Sequence, residues 1–259
     1  MKSHIFWSLL KKDFLDLLRS KKILILGIIF LFVAISSVVL AKVMPQILNS
    51  LPQTPGLTIS LPTPTYLDSV DQFVKNLSQL AIFVLVFLVA GTVVDEKTKK
   101  TLELTLTKPI SKKAFILSKY AANLGSIKVV YLISALIFYF YTVTTFASFS
   151  FINFLIMSLL ILVYLILISS ATIFFSTIAS SPIMAAIGGF VSMIILGTVW
   201  GLIKSIKNYS PYKLVGDYKE IITSGWNKDL LFPLLISIVL IISFVWASII
   251  VFQKQEIER

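Results

Sequence analysis

Six apolar runs dominate the chain, near residues 23–43, 78–94, 122–146, 151–177, 181–203 and 231–252. Most approach or exceed the roughly 20 residues that a helix needs to cross a hydrocarbon core of about 30 Å. The pattern predicts an all-α membrane protein with about six transmembrane helices in a single domain over 1–259. Before the first run, Phe6, Leu10, Phe14, Leu17 and Leu18 recur at helical spacing, while Ser8, Lys12, Asp16 and Arg19 favour another face. Residues 1–22 are therefore expected as an amphipathic helix lying in the membrane interface with its lysines reaching toward water. The run that follows is longer than the 7–15 residues of a signal-peptide core, which favours an uncleaved span.

The connections differ in character. Residues 44–77 contain Pro45, Pro52, Pro55, Pro62 and Pro64, which are expected to break any long helix. The end of this loop spaces Tyr66, Leu67, Val70, Phe73, Val74 and Leu77 three or four apart, against Asp68, Asp71 and Lys75. Two readings stand: a short amphipathic helix on the outer leaflet, or a solvated turn. The breaks at 147–150 and 179–182 are brief, and Pro182 suits the first turn of the fifth span. Residues 204–230 form a polar connection in which Val215, Tyr218, Ile221 and Ile222 have helical spacing. A plain outer loop and a re-entrant hairpin both fit it.

Charge sets the orientation. The formal net charge is +11, yet only 14% of residues are charged and 57% are apolar. In such a chain the positive-inside rule accounts for the excess, so no nucleic-acid partner is implied and membrane lipids are the expected surroundings. Lysines and arginines concentrate before the first span, in 95–119 and in the tail, which places both termini inside the cell membrane. Lys204, Lys207, Lys213, Lys219 and Lys228 fall outside in this arrangement and run against the rule. There is no cysteine, and His4 is the sole histidine, which excludes thiolate sites and intramembrane histidine chemistry. Residues 122–203 hold no Asp, Glu or His, which argues against an intramembrane acid/base enzyme. No phosphate-binding G-x-x-x-x-G-K-[ST] loop occurs, so any ATP hydrolysis belongs to another polypeptide.

The basic segment between the second and third runs is the most informative. Glu96 is followed by Lys100-Thr101-Leu102-Glu103, then Thr107-Lys108-Pro109-Ile110-Ser111-Lys112-Lys113, then Ser118-Lys119. Leu102, Leu104 and Leu106 alternate with polar residues, which alone suggests a short strand, although Leu102 and Leu106 also lie one helical turn apart. Pro109 ends the first element, and Ser111 is placed to cap a following helix.

In order and spacing this segment resembles the cytoplasmic coupling region of ABC-2 type transporter permeases. The resemblance implies a short cytoplasmic coupling helix within 95–119, docked on a separate ABC ATPase. It implies Glu96, Thr101, Leu102, Glu103, Leu106, Pro109, Lys113 and Lys119 as the ATPase-docking residues. Of these, Glu96 and Lys119 are expected to fix the segment against the bundle. It also implies a second permease copy or a paralogue as partner. No cofactor or metal is expected in this chain, with ATP and Mg held by the ATPase. Lys100 departs from the family, which usually has glycine there; lysine avoids positive φ, which argues against a sharp turn at that position.

The expected function is that of an ATP-driven exporter's permease subunit, moving an unidentified substrate. The alternatives are a membrane scaffold or sensor that moves nothing, and a membrane-embedded enzyme. Three lesser features complete the reading. Lys128 near the start of the third span is expected to reach to the interface. Gly188, Gly189, Gly197 and Gly201 are expected to let helices of the same chain pack closely. Trp7, Trp200, Trp226 and Trp246 read as interface anchors.

Overall fold

A computed structural model describes residues 3–50, 63–101, 110–200, 203 and 206–255, and these contain helices and turns but no strand. The helices are α1 (Ser3–Arg19), α2 (Lys22–Ser50), α3 (Tyr66–Asn76), α4 (Ile82–Thr98), α5 (Lys112–Thr145) and α6 (Phe151–Ile178). They continue with α7 (Pro182–Ile194), α8 (Lys213–Gly216), α9 (Tyr218–Ser224) and α10 (Leu231–Lys254). Five stretches are long and apolar enough to cross a membrane: Lys22–Ile47, Tyr66–Thr98, Lys112–Thr145, Phe151–Ile178 and Lys228–Lys254. The expected fifth run forms a shorter apolar helix, α7, extended by a π-helical turn over Ile195–Val199.

Helix α6 is the centre of the bundle, packed by α4, α5, α7 and α10, while α2 lies against α3 and α5. Its sequence shows why: it is apolar around most of its circumference, and beyond Asn153 and Tyr164 what polarity it has is Ser and Thr. Ser169, Thr172 and Thr177 return their hydroxyls to carbonyls one turn back, so they can be buried without loss. Close approach to α6 depends on two glycines of α7. A Cβ on Gly188 would lie 2.3 Å from Phe175, and one on Gly189 would lie 2.6 Å from the Thr172 hydroxyl. The expected tight packing within the chain is realised there, whereas Gly201 lies outside the described residues.

Local signals for helix starts act as their chemistry suggests. Ser111, Ser150 and Ser181 accept from the amides of Ala114, Asn153 and Met184, at 3.2, 3.3 and 3.3 Å. Pro182 occupies the first turn of α7. The amphipathic stretch after Pro64 is a helix, and it does not stop before the second span. Thr65 donates its backbone N–H to Asp68 at 2.7 Å, α3 begins, and a π-helical turn at Leu77–Ala81 joins it to α4. Val70, Phe73 and Val74 are buried, so tertiary contacts hold this segment in place of an outer-leaflet surface.

Pro45 also departs from expectation. It sits inside α2, which runs on to Ser50. Proline removes one backbone hydrogen bond, but within a long apolar helix the turns on either side carry it through. Residues 206–230 fold into turns and short helices. The α8–α9 pair buries Leu214, Val215, Ile221 and Ile222 against α6. Asn153, at the start of α6, donates to the Ile222 carbonyl at 3.2 Å, and Tyr212 meets Tyr164 edge-on at 6.0 Å between ring centres. Eleven residues of α6 separate those contacts, about 16 Å along the helix. The segment thus descends alongside α6 where α7 has already ended.

Candidate functional site

The base of the bundle, where α1 and the end of α10 lie, is held by an ionic cluster on three elements. Helix α1 supplies Lys12 and Asp13, the end of α4 supplies Asp95 and Glu96, and the start of α5 supplies Lys119. Lys119 Nζ lies 2.8 Å from Asp13 Oδ1 and also donates to Glu96 Oε1. Lys12 Nζ reaches the same Glu96 oxygen at 3.0 Å and Asp13 at 3.5 Å. Ser118 donates to the second Asp13 oxygen at 2.6 Å. Beside this group, Lys22 pairs with Asp95 at 3.2 Å.

The cluster is buried as well as paired. The side chains of Asp13, Lys119 and Glu96 are 2, 7 and 14% exposed. The ammonium groups of Lys119 and Lys12 also stand 5.5 and 5.9 Å from the centre of the fully buried Phe115 ring, close enough for cation–π attraction. Buried charges of this kind are tolerated only when each has its partner. A cleft of about 400 Å³ opens beside them, lined by Asp16, Ser20, Lys99 and Thr101 among others. Asp13, Asp16 and Glu96 bring carboxylate oxygens within 4.8 Å of one another. Lys12 and Lys119 lie among them and supply the compensating charge that a metal ion would otherwise bring.

Lysines and a glutamine tie off neighbouring helix ends at the same level. Lys97 and Gln255 both donate to the Thr177 carbonyl in the last turn of α6, the latter at 3.0 Å. Lys112 donates to the carbonyls of Gln253 and Gln255 at 3.2 and 2.7 Å. These are the carbonyls that a helix end leaves without intrahelical partners.

Among the expected docking residues, Glu96 and Lys119 are brought together directly, as the two ends of one ion pair. Thr101 follows α4 and donates to the Glu96 carbonyl at 3.4 Å. Lys113 is exposed in the first turn of α5. Leu102, Glu103, Leu106 and Pro109 lie outside the described residues. Lys100 overturns the argument against a sharp turn: its φ is +56°, and it closes the end of α4 by donating to the Lys97 carbonyl at 3.2 Å. Its side chain is exposed, so the strain is local to the backbone and no packing clash adds to it. Lys128 is exposed, in keeping with a side chain that reaches outward.

Asp13 was not foreseen. The apolar set on α1 drew attention to Phe14 and Leu18, which are exposed, as is Trp7. The face turned to the bundle is Leu9 and Asp13, one turn apart and both buried. An acidic residue directly after Lys11 and Lys12 is the available signal, but its meaning depends on Lys119 more than a hundred residues away.

The opposite end has its own polar contact. Asp71 of α3 accepts from the Tyr218 hydroxyl and pairs with Lys75 at 2.6 Å and Lys219 at 3.4 Å. Burial, then the adjoining Asp71 carboxylate, pushes the Tyr218 phenol above its ordinary range.

Residues 7–257 match the family described as ABC-2 family transporter protein, nearly the whole chain. No curated protein matches it closely.

Proposed function

We propose a division of labour from one premise: the chain belongs to the ABC-2 transporter family and is the membrane-spanning permease subunit of an ABC transporter, not its ATPase. In this reading the termini and the 95–119 segment face the cytoplasm of a cell whose plasma or inner membrane holds the bundle. An ABC ATPase docks on that segment, with Leu102 and Leu106 as apolar anchors, Glu103, Thr101 and Lys113 around them, and Pro109 fixing the shape. ATP and Mg are bound by the ATPase. A second permease, identical or paralogous, completes the assembly, which exports its substrate.

The observation that carries this reading is the Asp13–Lys119–Glu96 cluster. It grips both roots of the connecting segment, the end of α4 and the start of α5, and ties them to α1. Roots tied together in this way would pass a push on the segment to two long helices at once. Closure of the docked ATPases would then tilt α4 and α5 together and bias the bundle between two states.

The test is co-purification of the ATPase with the Leu102→Asp, Leu106→Asp double variant. Loss of the ATPase with membrane insertion intact is expected, and retained co-purification refutes the docking site. ATP-dependent substrate flux in vesicles separates an exporter from a scaffold that moves nothing. The chain has no native cysteine, so a single cysteine at position 106 reports its side of the membrane with an impermeant maleimide. Labelling from outside the cell overturns the orientation.

A further inference from the structure

A second cavity, of about 550 Å³, lies away from the ionic base, within the range of small-molecule sites. Its walls come from α3, the turn after it, the starts of α4 and α9, α6, α7 and α8, and they are mostly apolar: Val74, Ile82, Met193 and Val215 among them. Three features set it apart from a packing defect.

First, both π-helical turns border it. Ser78 and Gln79 belong to the turn at Leu77–Ala81, and Gly197 to the turn at Ile195–Val199. Such turns are rare and recur at functional sites. Second, Tyr164 is only 2% exposed overall and lines the cavity, and its hydroxyl, which hydrogen-bonds no other described residue, opens onto the cavity and is not sealed from it. A phenol that faces a cavity keeps its donor free for whatever occupies that space. Third, the space beside that hydroxyl is kept open by Gly197, where a Cβ would lie 3.3 Å from the Tyr164 oxygen.

Position and charge narrow the occupant. Tyr164 is at the middle of the 28-residue α6, while Lys75 and Tyr218 on the wall belong to the Asp71 contact, so the site runs from that end of the bundle to mid-helix. Lys75 is the charged residue on the wall, and Asp71 already pairs with it at 2.6 Å. An ionised ligand would find no free counter-charge there and would bear a large desolvation cost. The rings of Tyr164 and Tyr212 offer flat apolar faces.

We propose that this cavity binds an uncharged, largely apolar, ring-containing molecule whose carbonyl or ether oxygen accepts a hydrogen bond from Tyr164. Entry is past Gln79 and Ile194, both exposed at the rim. The site is contained in one chain and needs no nucleotide or ATPase, so it stands or falls apart from the docking reading.

Benzophenone, an uncharged aromatic ketone that cross-links on illumination, is a direct probe. With the full chain in liposomes, peptide mapping is expected to find saturable labelling on Met193 to Gly197 and on the Tyr164 and Tyr212 peptides. Tyr164→Phe, which removes one neutral hydrogen bond, should raise the half-saturating concentration about three- to tenfold. Ile194→Trp alters an exposed rim residue and should block labelling in the cavity while the protein remains folded. Labelling that rises without saturation along lipid-exposed positions such as Ile187 and Val239, indifferent to both substitutions, overturns the site. Saturable labelling in the cavity that ignores Tyr164→Phe overturns the phenol as anchor, and with it the oxygen-bearing class of ligand.

Discussion

Replacing Lys119 with methionine tests the ionic base most severely. The substitution keeps length and apolar contact but leaves Asp13 and Glu96 facing the site of a lost charge. Glu96 retains Lys12 at 3.0 Å, so it is partly compensated. Asp13 is left with the Ser118 hydroxyl at 2.6 Å and Lys12 no nearer than 3.5 Å, at 2% side-chain exposure. Removing one partner of a buried pair costs about 3–5 kcal/mol, and the surviving Lys12 contacts argue for the lower end, about 3 kcal/mol. The loss should appear first as release of α1, because Asp13 and Leu9 are its buried attachments. The absence of native cysteine provides the assay: Leu9→Cys is a buried, unique maleimide target. A cost of about 3 kcal/mol raises its labelling rate roughly a hundredfold when opening is in rapid equilibrium. Adding Asp13→Asn removes the stranded charge, so the Lys119→Met, Asp13→Asn pair should label more slowly than Lys119→Met alone. A rate that Lys119→Met leaves unchanged, or that the second substitution fails to lower, refutes the reasoning.

Lys100→Gly relieves a left-handed residue and should stabilise the end of α4 by about 1 kcal/mol, read as a higher unfolding midpoint in detergent. Gly188→Ala forces a Cβ to within 2.3 Å of Phe175 and should destabilise by about 1–3 kcal/mol, while Gly125→Ala, with nothing within 4 Å, should be neutral or stabilising in the same measurement. Burial holds the Asp217 carboxyl above its ordinary 3.8; Lys213 pulls it down, and Glu220 and Asp229 add to the rise. The folded chain then binds more protons than the unfolded one above pH 3.8, so stability falls as pH rises through that window. Asp217→Asn should accordingly melt higher than the parent at neutral pH, with the gap closing as pH falls to 3.8, and a gap independent of pH would contradict it.

Local chemistry was legible where it is decided within a few residues. Ser111 and Pro182 open their helices as their positions in the chain suggest, because a cap needs only its own next turn. Gly188 and Gly189 stand where a neighbouring helix comes close, as small residues in an apolar helix often do, although Gly125 shows that not every such glycine does. The joining of α3 to α4 was harder to read, because Asp68, Asp71 and Lys75 look like residues of a surface helix. Lys219 and Tyr218 lie about 150 residues away, yet they receive Asp71 and make its place in the bundle possible. Pro45 and Lys100 mislead in a related way. Each carries a local penalty of a few kcal/mol at most, which long apolar helices packed on their neighbours can override. Leu102 and Leu106 lie outside the described residues, and their expected role follows from their spacing and the resemblance alone.

One rod links the two polar sites and the cavity. Tyr66–Thr98 is helical throughout, with Asp71 near one end and Asp95 and Glu96 near the other. The 25 residues between Asp71 and Glu96 span about 37 Å. Each end is held by elements outside the α6 core: Tyr218 and Lys219 on α9 at one end, Lys12 and Lys119 on α1 and α5 at the other. Between them the Leu77–Ala81 turn breaks the regular hydrogen-bond ladder, and its Ser78 and Gln79 form part of the cavity wall. A displacement imposed at Glu96 is carried rigidly by α4 up to that turn, the point where the rod can most easily change register. Binding in the cavity fixes the turn from the other side. If both act on one rod, the coupling is reciprocal. Saturating benzophenone should then change the maleimide labelling rate of Leu9→Cys at the far end, and an unchanged rate would show the base and the cavity to be mechanically separate.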